Sequence, residues 1–68
     1  MKNYNGDMIQ QIIECYHEIY DESPSLEIKN KIAEKIPMDI RLLAFQWGWD
    51  DTEVGDKVYR FIRDEFDK

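Results

Sequence analysis

Apolar residues recur at three- and four-residue spacing along most of the chain, which predicts helices. The first predicted helix covers 7–21, and the second covers 24–36, where Ser23 can cap a helix that has Pro24 at its first position. Pro37 then ends the second helix. No stretch alternates with period two for long enough to predict a strand. The inward residues of these two helices would be Ile9, Ile12, Ile13, Tyr16, Ile19, Tyr20, Ile28, Ile32 and Ile36.

The third predicted helix, 39–47, is apolar on more than one side, with Asp39 as its cap and Gly48 in position to end it. A helix of this kind is expected in the middle of a protein. One face would carry Ile40, Leu43, Ala44 and Trp47, whereas Leu42, Phe45 and the following Trp49 fall elsewhere. Two interpretations of the tryptophans stay open: each is partly buried, or one forms an exposed anchor for a partner. We place Trp49 among the candidate binding residues.

The fourth predicted helix, 51–66, begins at a sequence that resembles a capping box, with Asp50 followed by Glu53. It would direct Val54, Val58, Phe61, Ile62 and Phe66 inward. Its charges neutralise each other at favourable four-residue spacing, in the pairs Glu53 and Lys57, Asp56 and Arg60, and Asp64 and Lys68. Four short helices with short connections predict an all-α compact bundle in a single domain, 1–68.

The composition favours a packed globule, because 43% of the 68 residues are hydrophobic. The single cysteine, Cys15, cannot form an intramolecular disulfide and is expected in the core beside Ile12 and Ile19. No signal peptide and no apolar run long enough to span a membrane occurs in the sequence. We therefore expect a cytoplasmic protein that does not enter a membrane.

The net charge of −6 argues against nucleic acid as a partner, because affinity for phosphates comes largely from lysine and arginine. The acids concentrate in the first predicted helix, where Glu14 and Glu18 are like charges four residues apart. Two interpretations stay open. The acids could be ordinary solvent-facing surface, with their negative charge partly neutralised by Lys29, Lys31 or Lys35 packed nearby. Alternatively, they could form a docking surface for a basic protein.

Residues that could carry catalysis are sparse. His17 and Cys15 stand two apart on a helix and so point in different directions, which supports neither a metal site nor a nucleophile. The three glycines are too far apart for a phosphate-binding loop. Asp50 and Asp51 are explained by helix capping. We expect no enzymatic activity, no cofactor and no metal.

Residues 40–59 resemble the helix-turn-helix unit of many DNA-binding proteins. Ala44 matches the small residue at the helix crossing and Gly48 the turn glycine. Leu43, Trp47, Trp49 and Val54 match the buried positions, but Lys57 replaces an apolar residue, so Val58 would have to serve instead. In that family the second helix enters the major groove. Here its first turns carry Asp50, Asp51, Glu53 and Asp56, which would repel phosphates, so the resemblance implies the fold of the unit without its DNA-reading role.

In size, charge and predicted helicity the chain is similar to small immunity proteins, antitoxins and phage-encoded inhibitors or DNA mimics. We therefore expect a non-enzymatic module that binds and masks a basic protein such as a nuclease. Two alternatives remain: a helix-turn-helix-like transcription regulator that binds DNA or the transcription machinery, and a module that self-associates through its tryptophan surface. The candidate partner-binding residues are Glu14, Glu18, Asp21, Trp49, Asp50, Asp51, Glu53 and Asp56.

Overall fold

The computed structural model describes residues 4–66, and within them it contains helices and no strand. The helices are α1 (Tyr4–Tyr20), α2 (Leu26–Lys35), α3 (Met38–Trp47) and α4 (Thr52–Phe61), followed by a π-helical turn (Ile62–Phe66). α1 packs against α2, α4 and the π-helical turn, whereas α3 packs against α4. The predicted all-α bundle of four short helices is confirmed.

The helix ends differ from the predicted ones by a few residues. α1 begins three residues earlier, at Tyr4. α2 is capped by Ser25 instead of Ser23, because the Ser25 hydroxyl accepts a hydrogen bond from the Ile28 N–H at 3.2 Å. The fourth regular helix ends at Phe61, after which the π-helical turn takes over, and Lys68 of the predicted Asp64–Lys68 pair lies outside the described residues.

The caps of α3 and α4 also differ from the predicted ones. Pro37 occupies the N-cap of α3, so Asp39 lies inside its first turn. At α4 the cap is Asp51 instead of Asp50, because the Asp51 carboxylate accepts hydrogen bonds from the N–H groups of Glu53 and Val54, at 3.0 and 3.3 Å. The α4 cap therefore forms one residue further along the chain.

The core is built from the predicted inward faces of α1, α2 and α4. Ile12 and Ile32 are completely buried, and Cys15 is buried as expected for a core cysteine. From the C-terminal part of the chain, Val54, Val58 and Ile62 join them. These apolar contacts hold α1 between α2 and α4, and they fix the side of α1 that faces α4.

α3 is not the buried central helix that its sequence predicts. Ile40 and Ala44 face the core, but among the described helices the backbone of α3 packs against that of α4 alone, so its opposite side stays uncovered. That side presents Met38, Leu42 and Phe45, all exposed. At its end the structure decides between the two open interpretations of the tryptophans, since Trp47 is 61% exposed and Trp49 only 1%.

Arg41 ties the start of α3 to the end of α2. Its Nε donates to the carbonyl oxygen of Ile36 at 2.9 Å, and its Nη2 donates to the carbonyl oxygen of Ala33. The last carbonyls of a helix have no partner within that helix, so a guanidinium satisfies them well. Arg41 therefore fixes the corner around Pro37 and sets the direction in which α3 leaves α2.

Candidate protein-binding groove

An open groove of about 580 Å³ runs between α1 and the start of α4, and acidic side chains line it on both sides. Glu14 and Glu18 come from α1. Asp50 and Asp51 come from the turn before α4, and Asp56 comes from α4 itself. The structure thus brings five of the predicted binding residues into one site, which we call the acidic groove.

Two side chains and one glycine bring the walls of the acidic groove together. Gln11 of α1 donates a hydrogen bond from Nε2 to the carbonyl oxygen of Trp49. The Cys15 thiol lies 3.5 Å from both Gln11 Oε1 and the carbonyl oxygen of Gly55, so it can donate to either. A Cβ atom on Gly55 would lie 3.1 Å from Gln11 Nε2, which is tighter than ordinary contact. The absence of a side chain at Gly55 therefore lets α1 approach α4 closely.

Burial and the acidic side chains of both walls raise the pKa of the same thiol, that of Cys15. Burial raises the pKa of Cys15 to about 12, and the negative charges of Glu18, Glu14 and Asp56 contribute to the same shift. Both effects disfavour the thiolate. Cys15 is thus a protonated core residue at neutral pH, and it offers no activated nucleophile to the acidic groove.

Cys15 is expected to resist alkylation in the native protein. Because its pKa is raised from an ordinary 9.0 to about 12, the thiolate fraction at pH 8.5 should fall on the order of a thousandfold below that of an unfolded chain. The measurement is the rate of iodoacetamide labelling, followed by mass spectrometry, with and without urea. In the control variant Glu14→Gln/Glu18→Gln, labelling should accelerate only modestly, since burial is the larger cause. Native labelling as fast as in urea would contradict the buried position of the thiol.

No lysine or arginine is among the side chains that line the acidic groove in the part of the chain that the structure describes. Lys31, one of the predicted neutralising residues, pairs within α2 with Glu27 at 3.5 Å. Asp56 pairs with Arg60 at 3.2 Å, as predicted, but this contact is between exposed side chains. No lysine of α2 lines the acidic groove in the described structure. The interpretation that these lysines neutralise the acids of α1 is therefore not supported at the groove.

Three of the predicted binding residues lie outside the acidic groove. Asp21 follows the end of α1 in a left-handed conformation with φ 60°, and its N–H donates to the carbonyl oxygen of His17 at 2.8 Å. Glu53 faces the other side of α4, in a groove of mixed charge that also holds Lys57 and Arg60. Trp49 as a partner contact is wrong, because its side chain fills the core.

The helix-turn-helix resemblance agrees with the burial of most of its matched positions. Ala44 and Val54 are buried, and Gly48 adopts φ 99° at the turn. Val58 is completely buried in place of the exposed Lys57, as the pattern requires. Two matched positions differ from the pattern, since Leu43 is only half-buried and Trp47 is exposed.

Sequence reasoning located the acids but missed the residues that join them. Gln11 is one of these residues, and its contact with the carbonyl of Trp49 spans 38 positions of the sequence. The small residues Cys15 and Gly55 are the available sequence signal, because small side chains permit close helix approach. No sequence pattern, however, pairs these two positions with each other.

Among residues 4–66, no group of three or more histidine, cysteine or acidic side chains is arranged to hold a metal ion. Within the same residues, no helix combines the length and the apolar character needed to cross a membrane.

The acidic groove provides carboxylates from two segments of the chain, a buried protonated thiol and one histidine, His17, and no lysine or arginine lines it among the described residues. Neither a protein-family model, nor a curated protein, nor a solved structure matches this chain.

Proposed function

We propose that this protein is a non-enzymatic binding module that uses its acidic groove to mask a basic surface on another protein, such as a nuclease or a nucleic-acid-binding protein. The observation that carries the proposal is the meeting of two acidic segments, distant in sequence, in one groove without a lining lysine or arginine among the described residues. Immunity proteins, antitoxins and phage inhibitors act in this general way.

The arrangement favours a cationic partner because the acids repel each other in the free protein. Glu14 and Glu18 stand one turn apart, which costs roughly 0.2 to 0.5 kcal/mol for an exposed pair. A lysine or arginine entering the acidic groove would relieve that repulsion at several carboxylates at once. The summed field of the groove, added to a net charge of −6, would also accelerate encounter with a basic protein.

Reversing the charge of the groove is expected to abolish binding of the basic partner. The variant Glu14→Lys/Glu18→Lys places two cations where the partner's cations would dock, so affinity should fall at least a hundredfold, given that like charges across an interface cost several kcal/mol. The measurement is affinity capture from lysates with tagged protein, followed by calorimetric titration of each captured basic protein. Binding to the unchanged chain should weaken as salt is raised.

The matched control is Glu34→Lys/Glu65→Lys, which changes the net charge by the same amount at exposed positions outside the acidic groove. Capture should survive this control and be lost with the groove variant. Equal binding by both variants would remove the groove as the docking site. If no basic protein were enriched at all, the proposed function itself would fail.

A DNA-reading role for α3 and α4 has less support. In helix-turn-helix proteins the start of the second helix meets the major groove. In this protein Asp51, Glu53 and Asp56 occupy the first turns of α4, where they would face phosphates. A mobility-shift assay at low salt separates the two functions, because phosphate-driven binding is strongest there. A retarded DNA band would favour the regulator and count against the inhibitor.

A further inference from the structure

The uncovered side of α3 presents large apolar residues to solvent. Met38, Leu42 and Phe45 follow one another at spacings of four and three residues, so they form one stripe along the helix. They are 66%, 60% and 80% exposed. We call these three side chains the apolar face. Single exposed apolar residues are common on proteins, but a contiguous group of this size indicates an interface.

We propose that the apolar face of α3 is the interface of a symmetric homodimer, in which α3 of one copy packs against α3 of a second copy. In a dimer with two-fold symmetry each copy contributes the same patch. The stripe from Met38 to Phe45 spans about 10 Å of helix. Two such stripes can align along a crossing of two helices, with Leu42 near the symmetry axis.

The area of the apolar face fits a small dimer. At the exposures given above, its three side chains present on the order of 400 Å² of largely apolar surface. Two copies would therefore bury about 800 Å² from these side chains alone, and contacts at the rim would bring the total to the low end of interface sizes, where association is weak. An interface of this size predicts a weak, reversible dimer.

The charge distribution selects a second copy as the occupant. Two-fold packing brings identical surfaces together, so the acidic surfaces of a chain with net charge −6 would repel their own copies. The apolar face carries no charged side chain. The charged residues of α3 are Asp39 and Arg41, and the Arg41 guanidinium is bonded to carbonyls of α2. α3 thus offers two copies a surface free of like-charge contacts, and it offers a basic partner no carboxylate beyond Asp39.

Sedimentation equilibrium tests the dimer directly. The mass should rise from 8.2 kDa toward twice that value as the protein is concentrated to about 1 mM. Phe45→Glu, which places a charge in the centre of the interface, should raise the dissociation constant at least thirtyfold, as expected for a central aromatic anchor. Since Phe45 is mostly exposed, the variant should keep its native circular dichroism spectrum. The control Leu26→Glu makes the same charge change at an exposed leucine outside α3 and should leave the dimer intact.

The geometry is tested by oxidative cross-linking. Leu42→Cys should form a disulfide-linked dimer under mild oxidation, whereas Leu26→Cys should not; native Cys15 is buried and should not compete. A mass that stays at 8.2 kDa at every concentration would overturn the proposal, as would equal weakening by Phe45→Glu and Leu26→Glu. Assembly beyond the dimer would overturn the two-fold packing.

Salt separates this proposal from the proposed function. The dimer should strengthen or stay unchanged as salt screens the repulsion between two acidic copies, whereas binding of a basic partner should weaken. The groove variant Glu14→Lys/Glu18→Lys should still dimerise. Either proposal can therefore fail while the other stands.

Discussion

Replacing Trp49 with alanine is expected to abolish stable folding. Trp49 is the largest completely enclosed side chain of the core, and its removal leaves a cavity among Ile12, Val54 and their neighbours. Truncation of a buried tryptophan costs about 3 to 5 kcal/mol, as in other cores. A single small core without disulfides rarely supplies more than about 3 to 5 kcal/mol in total. The variant should therefore lose its cooperative urea transition, measured by circular dichroism at 222 nm.

Trp47→Ala is the matched control, since it removes the same side chain two residues away from a position that is 61% exposed. Its free energy of unfolding should stay within about 0.5 kcal/mol of the parent, measured at concentrations where the chain is monomeric. Fluorescence gives a second readout. In Trp47→Phe the remaining tryptophan should emit at short wavelength in the native state and shift to the red in urea. Two alanine variants of equal stability would show that the placement of the tryptophans is wrong.

The unequal burial of these two tryptophans shows where a helical pattern stops being informative. Spacing places Trp47 on the same face as Ile40 and Ala44, which are buried. Trp47, however, is the last residue of α3 and is 61% exposed. Trp49 lies past the helix end, where its direction depends on the backbone of Gly48. Periodicity predicts faces within a helix, and it carries no information across a chain reversal.

The helices themselves were predictable because their apolar stripes are local features. The buried residues of α1, α2 and α4 lie at the expected three- and four-residue spacings, and cap chemistry located each boundary within a few residues. The error at α3 has a physical reason. Its residues are apolar on more than one side, and spacing alone cannot distinguish a helix surrounded by partners from one with an exposed apolar face.

The acidic groove was only half predictable, because its two walls are distant in sequence. Charge counting identified Glu14 and Glu18 on one segment and Asp51 and Asp56 on another. Their meeting depends on the packing of α1 on α4, in which Cys15 contacts the carbonyl of Gly55 40 positions away. The same packing turns Glu53 away to the opposite side of α4. A one-dimensional pattern cannot decide which acids of one helix share a groove with those of another.

Replacing Gly48 with alanine is expected to destabilise the protein by about 1 to 3 kcal/mol, the cost of an L-residue in a backbone region open essentially to glycine. Gly48 has φ 99° and ψ 149°. It is fixed there from both sides, since its N–H donates to the carbonyl of Ala44 at 2.6 Å and its own carbonyl accepts from Asp51 at 3.2 Å. These bonds end α3 and begin the cap of α4. The backbone cannot relax to a negative φ without breaking one of them, and urea denaturation should report the loss.

A chemically synthesised chain with D-alanine at position 48 distinguishes backbone strain from steric crowding. D-alanine carries the same methyl group but favours positive φ, so it should recover most of the stability lost with L-alanine. If both alanines destabilised equally, contact of the methyl group with its neighbours would be the cause. Gly48 stands between an exposed Trp47 and a buried Trp49, so strain in its backbone would change the positions of both side chains. The L-alanine variant should therefore also shift the emission of the single tryptophan in a Trp47→Phe background toward the red, because Trp49 enters the core only through this turn.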